Sequence, residues 1–302
     1  KVDFAATSVV TNTVPMGAYR GAGRPEAAAA IERMMDVFAA EIGMDPVDVR
    51  RINFIQPEAF PFDSPTGAAM DTGEYDKAVD AVMDLVDYPA LRAEQEARRN
   101  DPDAKLLGLG WAAYVEIANP MANGEFGSIE IRPDGTALVL TGSSAHGQGH
   151  HTAFAQLASE ITGIDFDKIE VRHGDTAEVV RGGGTGGSKS LQVGGSAVWE
   201  ASEAVVEKAK DIAAELLEAN PADIVLDATS GSFSVAGTPA LSKSWADIGS
   251  KAAEAAGVNL IAEVDFQPPG ATFPFGAHLS VVEVDRGTGE VTCLRHIACD
   301  DA

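Results

Sequence analysis

Two glycines, Gly21 and Gly23, stand between two arginines, Arg20 and Arg24, directly ahead of a helical pattern in AYRGAGRPEAAAAIERMMDVFAAEIG. Glycine enters left-handed backbone without steric cost, so this spacing dictates a tight turn that closes onto a helix start. Such a turn brings backbone N–H groups and guanidinium forks toward an oxyanion or a metal-oxo group. A glycine-rich surface turn with solvated arginines fits the same residues, and the segment alone leaves both readings open. Two further glycine-dense segments follow, SSAHGQGHHTAFAQLASEITG over 143–163 and RGGGTGGSKSLQVGGSAVWEA over 181–201.

Apolar residues at helical spacing (Ile31, Met34, Met35, Phe38, Ile42) predict a helix over 27–42, with Pro25 and Glu26 suited to its first turn and Gly43 to its C-cap. Asp45-Pro46 reads as the next helix start, 57–73 as a Pro/Gly-rich loop, and 75–99 as a helical region broken at Pro89. The polar stretch 100–105 is the expected boundary, dividing residues 1–100 from residues 101–302. Beyond it, strands are expected at 108–117, 127–132, 137–141, 168–173, 224–227, 232–235, 260–266, 277–285 and 291–299. Helices are expected at 152–162 and 195–220. Strands and helices mix without a strict βαβ rhythm, so the fold class is α+β, or mixed α/β, with helices packed on mixed sheets.

Composition narrows the partners. The formal charge is −24, from 46 acidic and 22 basic residues, which disfavours nucleic acid because phosphate binding needs clustered cations. No apolar run approaches a membrane span, so no membrane insertion is expected. Cys293 and Cys299 are the cysteines. Six residues along a strand is about 20 Å, so they do not pair with each other. No zinc or iron–sulfur spacing exists, and a reducing cytoplasm is the expected location.

In the second segment, His146-Gly147-Gln148-Gly149-His150-His151 sits between a strand and a helix start. A glutamine amide offers donors and an acceptor, and the new helix offers N–H groups; both suit an anionic group such as a phosphate. In the third, glycine fills five of the nine positions 182–190, and Thr185, Ser188 and Ser190 add hydroxyls. Such a run can wrap amides around a phosphate, although it is neither a P-loop nor a dinucleotide fingerprint, and a flexible loop remains the alternative.

Together, in order and spacing, the three segments resemble the molybdopterin-binding large subunit of the xanthine oxidase/aerobic carbon monoxide dehydrogenase family of molybdenum hydroxylases. The resemblance runs across nearly the whole chain. It implies that Arg20 lies near the metal centre and that Gly21, His146, Gly147, Gln148, Gly187, Ser188, Lys189 and Ser190 bind cofactor. The metal itself is held by the pterin dithiolene, so no protein metal ligand is implied. Ala22, Tyr114 and Glu116 are the implied substrate-pocket residues. The cofactor is molybdopterin, as the cytosine dinucleotide, with iron–sulfur and FAD groups in an iron–sulfur small subunit and a FAD-binding medium subunit. The implied assembly is a dimer of heterotrimers.

The implied reaction is hydroxylation of an aldehyde or an N-heterocycle by a molybdenum-bound hydroxide, with hydride passing to a sulfido ligand. Copper-dependent carbon monoxide oxidation is disfavoured, because that group carries cysteine where this chain has Gly21, and Ala22 removes the aromatic clamp of xanthine oxidases. The family's glutamate base and its GGxFG loop have no counterpart here. The chain opens on Lys1 and closes in a strand-like segment, so it is expected to be an internal piece of a longer subunit, inactive alone. A non-catalytic scaffold and a phosphate-binding module unrelated to molybdenum stand as alternatives.

Overall fold

The computed structural model describes every residue except Lys1, Val2, Phe4, Pro15, Met16, Val258 and Ala302. In chain order the elements are α1 (Arg24–Ile42), α2 (Pro46–Asn53), β1 (Phe62–Asp63), β2 (Ala69–Met70), α3 (Tyr75–Val86), α4 (Tyr88–Asn100) and β3 (Leu106–Val115). Then come β4 (Glu125–Ile131), β5 (Ala137–Thr141), α5 (His150–Thr162) and β6 (Ile169–Arg172). A π-helical turn (Ser190–Gly195) runs into α6 (Ser196–Leu217). The remainder is β7 (Ile224–Asp227), β8 (Ser232–Val235), β9 (Thr238–Ser244), α7 (Trp245–Ala256), β10 (Leu260–Phe266), β11 (Phe275–Val284) and β12 (Val291–Asp301). The mixed helix-and-sheet class is as the sequence predicts.

These elements form two compact units, one of residues 1–117 with 272–302, the other of residues 118–271. The first differs from the expected division at 100–105. Its antiparallel sheet, ordered β12-β11-β3, pairs Leu106–Val115 with the distant Phe275–Val284, so chain from both sides of that stretch enters one unit. The break expected at Pro89 falls two residues earlier. Asp87 adopts left-handed backbone (φ 50°) and caps α4, accepting from Ala90 N–H at 3.4 Å. Pro89 then sits in the first turn of α4, where its missing N–H costs nothing.

The first unit is organised around a buried cation. Arg50 of α2 is 4% exposed. Its guanidinium donates to the Glu32 carboxylate at 2.7 Å and the Asp36 carboxylate at 2.9 Å, both on α1. It also donates to the carbonyls of Pro46 (2.9 Å) and Trp111 (3.3 Å), which ties α1 and α2 to β3. Trp111 is buried against Tyr88 of α4, ring centroids 5.4 Å apart and edge to face. The α1 stripe behaves otherwise: Ile31, Met34, Phe38 and Ile42 are all exposed.

In the second unit the sheet order is β10-β4-β5-β6, antiparallel except for the parallel pair β5 and β6. A parallel pair needs a crossover, and α5 supplies it. Helix α6 lies against β4 and β10, and α5 packs on α6 and β6. Their alanine-rich faces let helix and sheet approach closely, and the core joins Ile129, Ile131 and Val139 to Phe154, Val198, Val205 and Phe233. The sheet β7-β8-β9 and α7 close this core with Trp245 and Ile248. Helix α7 carries a capping box between Ser244 and Asp247.

We expect Arg50→Leu to destabilise the subunit by about 3 kcal/mol, because it strands the Glu32 and Asp36 carboxylates near the core. Chemical denaturation measures this, and a change within experimental error would remove the organising role.

Candidate functional site

The residues assigned from the sequence fall into two groups, one in each unit, and each group is described within its own unit.

In the first unit, residues 19–24 form overlapping tight turns. Ala22 N–H donates to Tyr19 O at 2.6 Å and Arg24 N–H to Gly21 O at 3.0 Å. Gly21 has φ 99°, and a Cβ there would stand 2.7 Å from the Pro25 ring carbons, so this backbone requires glycine. Arg20 is exposed at the turn, and Ala22 follows with φ 49°. Arg24, the first residue of α1, pairs with Glu116 at 3.0 Å. That pair pins the arginine turn to the segment leaving β3. Two residues earlier, the Tyr114 hydroxyl donates to the Asp300 carboxylate at 2.8 Å. Burial, then that hydrogen bond, pushes the phenol up to about 12, so it stays neutral at physiological pH. His278 also bonds Asp300, at 2.9 Å, and the two contacts hold that carboxyl below its ordinary range.

In the second unit, the loop 142–149 leaves the carboxyl end of β5 and enters α5. This is the end of a parallel strand at which α/β folds bind anions. Gly149 caps α5 in left-handed backbone and, as glycine, brings no side chain to the helix N–H groups. Gln148 is exposed, and its side-chain oxygen accepts from the His146 N–H, which leaves the loop as a compact turn. His150 faces inward. It is buried, stacked on Phe154 with centroids 5.1 Å apart, and its Nδ1 lies 3.4 Å from Ser143 O. His151 and His173 stand 4.6 Å apart. Burial and then His151, His150 and His146 push His173 below the ordinary histidine value, and its Nε2 is buried without a hydrogen-bond partner. Among the described residues, no group of His, Cys, Asp or Glu has the arrangement to hold a metal ion.

The glycine-rich loop 181–190 is strapped down rather than flexible. At its entry, Arg181 lies over the Phe126 ring at 4.1 Å and bonds Asp265 at 2.9 Å and Glu263 at 3.2 Å. Gly187 O accepts from Asn119 N–H at 2.8 Å, and the Thr185 and Ser190 hydroxyls share a 2.9 Å bond. Gly187 and Ser188 are exposed, and Ser188 takes φ 57°. Lys189, implied as a cofactor-binding residue, is 5% exposed, with Nζ 3.5 Å from the Glu125 carboxylate.

Glu125, the first residue of β4, was not visible as a site residue. Its side chain is wholly buried. One oxygen accepts from the N–H groups of Gly183 and Phe126, each at 3.0 Å. The other faces Lys189 and accepts from the Ser143 hydroxyl at 3.3 Å. One carboxylate thus touches both loops. The approach requires glycine around it: a Cβ on Gly182 would collide with Gly142 Cα, and one on Gly142 with Glu125 itself. The π-helical turn adds Gly194, where a Cβ would stand 2.7 Å from the Ser143 hydroxyl.

An anionic pterin fits what this arrangement offers. The glycine-capped helix N-terminus adjoins an exposed glutamine, and Glu125 ties to the same loop a glycine-rich segment that carries hydroxyls. Comparison with known proteins agrees. Molybdopterin cofactor-binding domain families match residues 1–54 and 81–302. The carbon monoxide dehydrogenase large chain of Hydrogenophaga pseudoflava is 41% identical, covering 97% of this chain and 38% of that one. The nicotine 6-hydroxylase large subunit of Paenarthrobacter nicotinovorans is 32% identical, covering 99% and 38%. The solved structure of reconstituted CO dehydrogenase from Oligotropha carboxidovorans superposes with a TM-score of 0.83 at 32% identity, over 94% of this chain and 37% of that one. The chain spans about two fifths of the length of the curated relatives it matches. Among the described residues, no helix is long and apolar enough to cross a membrane.

Gly182→Ala meets both a φ of 148° and the Gly142 backbone, and we expect it to cost at least about 2 kcal/mol. Gly186→Ala, in open space, is the control, and equal melting temperatures for the two variants would contradict the close approach. A lowered histidine binds fewer protons folded than unfolded, so its contribution is complete above the ordinary value of 6.5 and is lost as pH falls below it. Denaturation midpoints in the complete subunit should therefore drop on acidification below that value, less steeply in His173→Gln. An identical pH slope in that variant would remove His173 as the cause.

Proposed function

This chain belongs to the xanthine oxidase/carbon monoxide dehydrogenase family of molybdopterin-binding large subunits, and on that premise we propose that it is the cofactor-holding part of an oxidoreductase that hydroxylates an aldehyde or an N-heterocycle. The observation that carries the reading is the pairing of a glycine-capped α5 N-terminus with a strapped, glycine-rich hydroxyl loop in one unit. When bound, the molybdenum cofactor supplies two-electron oxidation of carbon with oxygen drawn from water. The chain's own residues bind and orient it. The Gln148 amide and the Gly147 backbone hold the pterin, with His146 beside them. Gly187, Ser188 and Ser190 bond the phosphates of the cytosine dinucleotide form. Lys189 acts through Glu125, holding the loop rather than touching phosphate.

Arg20, carried on the Gly21 turn that the Arg24–Glu116 pair holds, has the permanent positive charge that an anionic metal centre calls for. The small Ala22 leaves room for substrate. Tyr114, kept neutral by burial and by its bond to Asp300, and Glu116, paired with Arg24, stand as the substrate-pocket residues. Gly21 has no sulfur for copper, and a Cβ there would meet Pro25, which disfavours copper-dependent carbon monoxide oxidation. Electrons leave to iron–sulfur and FAD groups in partner subunits, an iron–sulfur small chain and a FAD-binding medium chain, in a cytoplasmic dimer of heterotrimers. The nicotine 6-hydroxylase likeness supports the heterocycle class.

We expect Gln148→Ala and Ser188→Ala, each in the complete subunit, to lower bound pterin and cytidine nucleotide by about tenfold, the factor for one lost hydrogen bond to an anion. Nucleotide released by acid and molybdenum per subunit are the measures. Wild-type content in both variants would refute these assignments.

A further inference from the structure

Glu125 presents a feature that cofactor binding by itself does not explain. A buried ion pair is weak support for stability, since apolar residues of similar volume often do as well. Here the carboxylate is wholly buried, yet each of its oxygens is engaged and its partners lie on separate loops. Ser143 belongs to the strand-to-helix loop; Gly183 and Lys189 belong to the glycine-rich loop. Gly142, Gly182 and Gly183 leave space that is filled by Glu125, by backbone or by the Lys189 amine. The charges are matched and the donors are directional, so the separation of the two loops is set by the reach of one side chain.

We propose that Glu125 is a positioning residue that fixes the two loops at the spacing a pterin nucleotide needs, with Lys189 as its counterion. This rests on the functional reading above. Glu125 touches no substrate and acts through the backbone of Gly183 and the hydroxyl of Ser143. Preorganisation of this kind raises affinity because the ordering cost is met during folding rather than at binding.

The test uses the complete large subunit, coexpressed with its companion chains, as wild type, Glu125→Gln, Lys189→Met and the double variant. Glutamine keeps the size of the side chain and the acceptor for Gly183, but its amide can turn a donor toward the Lys189 amine. Glu125→Gln should lower cofactor content about tenfold. It should also accelerate amide exchange in 142–149 and 181–190 together. Adding Lys189→Met removes the clash of donors and should restore most of the content, a rescue that general destabilisation would not produce. Wild-type occupancy in Glu125→Gln, or acceleration in one loop only, overturns the proposal. An additive loss in the double variant does the same. If the wild-type complex carries no molybdopterin, the functional reading fails, and exchange alone decides: joint acceleration supports the positioning role, and unchanged exchange refutes it.

Discussion

The buried Glu125 carboxylate is the contact on which the second unit's binding surface depends. It lies at the start of β4, where sheet geometry holds the backbone still, and it reaches the loop after β5 and the loop before α6. Loops rich in glycine are costly to order, because their unfolded ensemble is broad. Tying both to one rigid strand offsets that cost and leaves the exposed positions, Gln148 and Ser188, at fixed places. Arg181 does the same at the loop entry, spanning the Phe126 ring and the carboxylates of β10.

A comparable arrangement recurs in the first unit, where Arg50 ties two carboxylates and three carbonyls. There the buried charge is the cation, and the elements joined are helices α1 and α2 with β3. In both units the sheet and helices supply apolar area, and a single saturated charged group sets how neighbouring segments meet. The arginine turn is placed by the same logic, since Arg24–Glu116 and the first turn of α1 fix it from two sides.

The sequence was legible where the signal is local. Apolar spacing located α1, and alternation located β7, β8 and β10 at their observed limits. Glycine spacing marked the turn at Gly21 and both loops of the second unit. What stayed hidden was non-local. Glu125 lies outside the strand expected at 127–132, and nothing near it announces partners 58 residues away. The pairing of β3 with β11 is likewise invisible to a search for polar linkers, so the first unit had to be seen in space. Helix α7 was missed although Ser244 and Asp247 stand at capping-box spacing, because its alanine-rich face gives little apolar contrast. The helical period of α1 was correct, yet it could not say that Ile31, Met34 and Phe38 would be exposed while Arg50 was buried.

Lys189 illustrates the limit of motif transfer. Position in a glycine-rich, hydroxyl-bearing run suggests a cation for phosphate, and only burial reveals that its charge is matched by Glu125. The central claim is that this chain holds a molybdenum cofactor in an enzyme that does not use copper. Counting molybdenum, copper and iron in the intact complex, purified with its companion subunits, tests it most directly. The account predicts molybdenum and iron in proportion to the large subunit, without copper. Copper accompanying molybdenum would contradict the reading of Gly21, and absence of molybdenum in cells that make the cofactor would contradict the function itself.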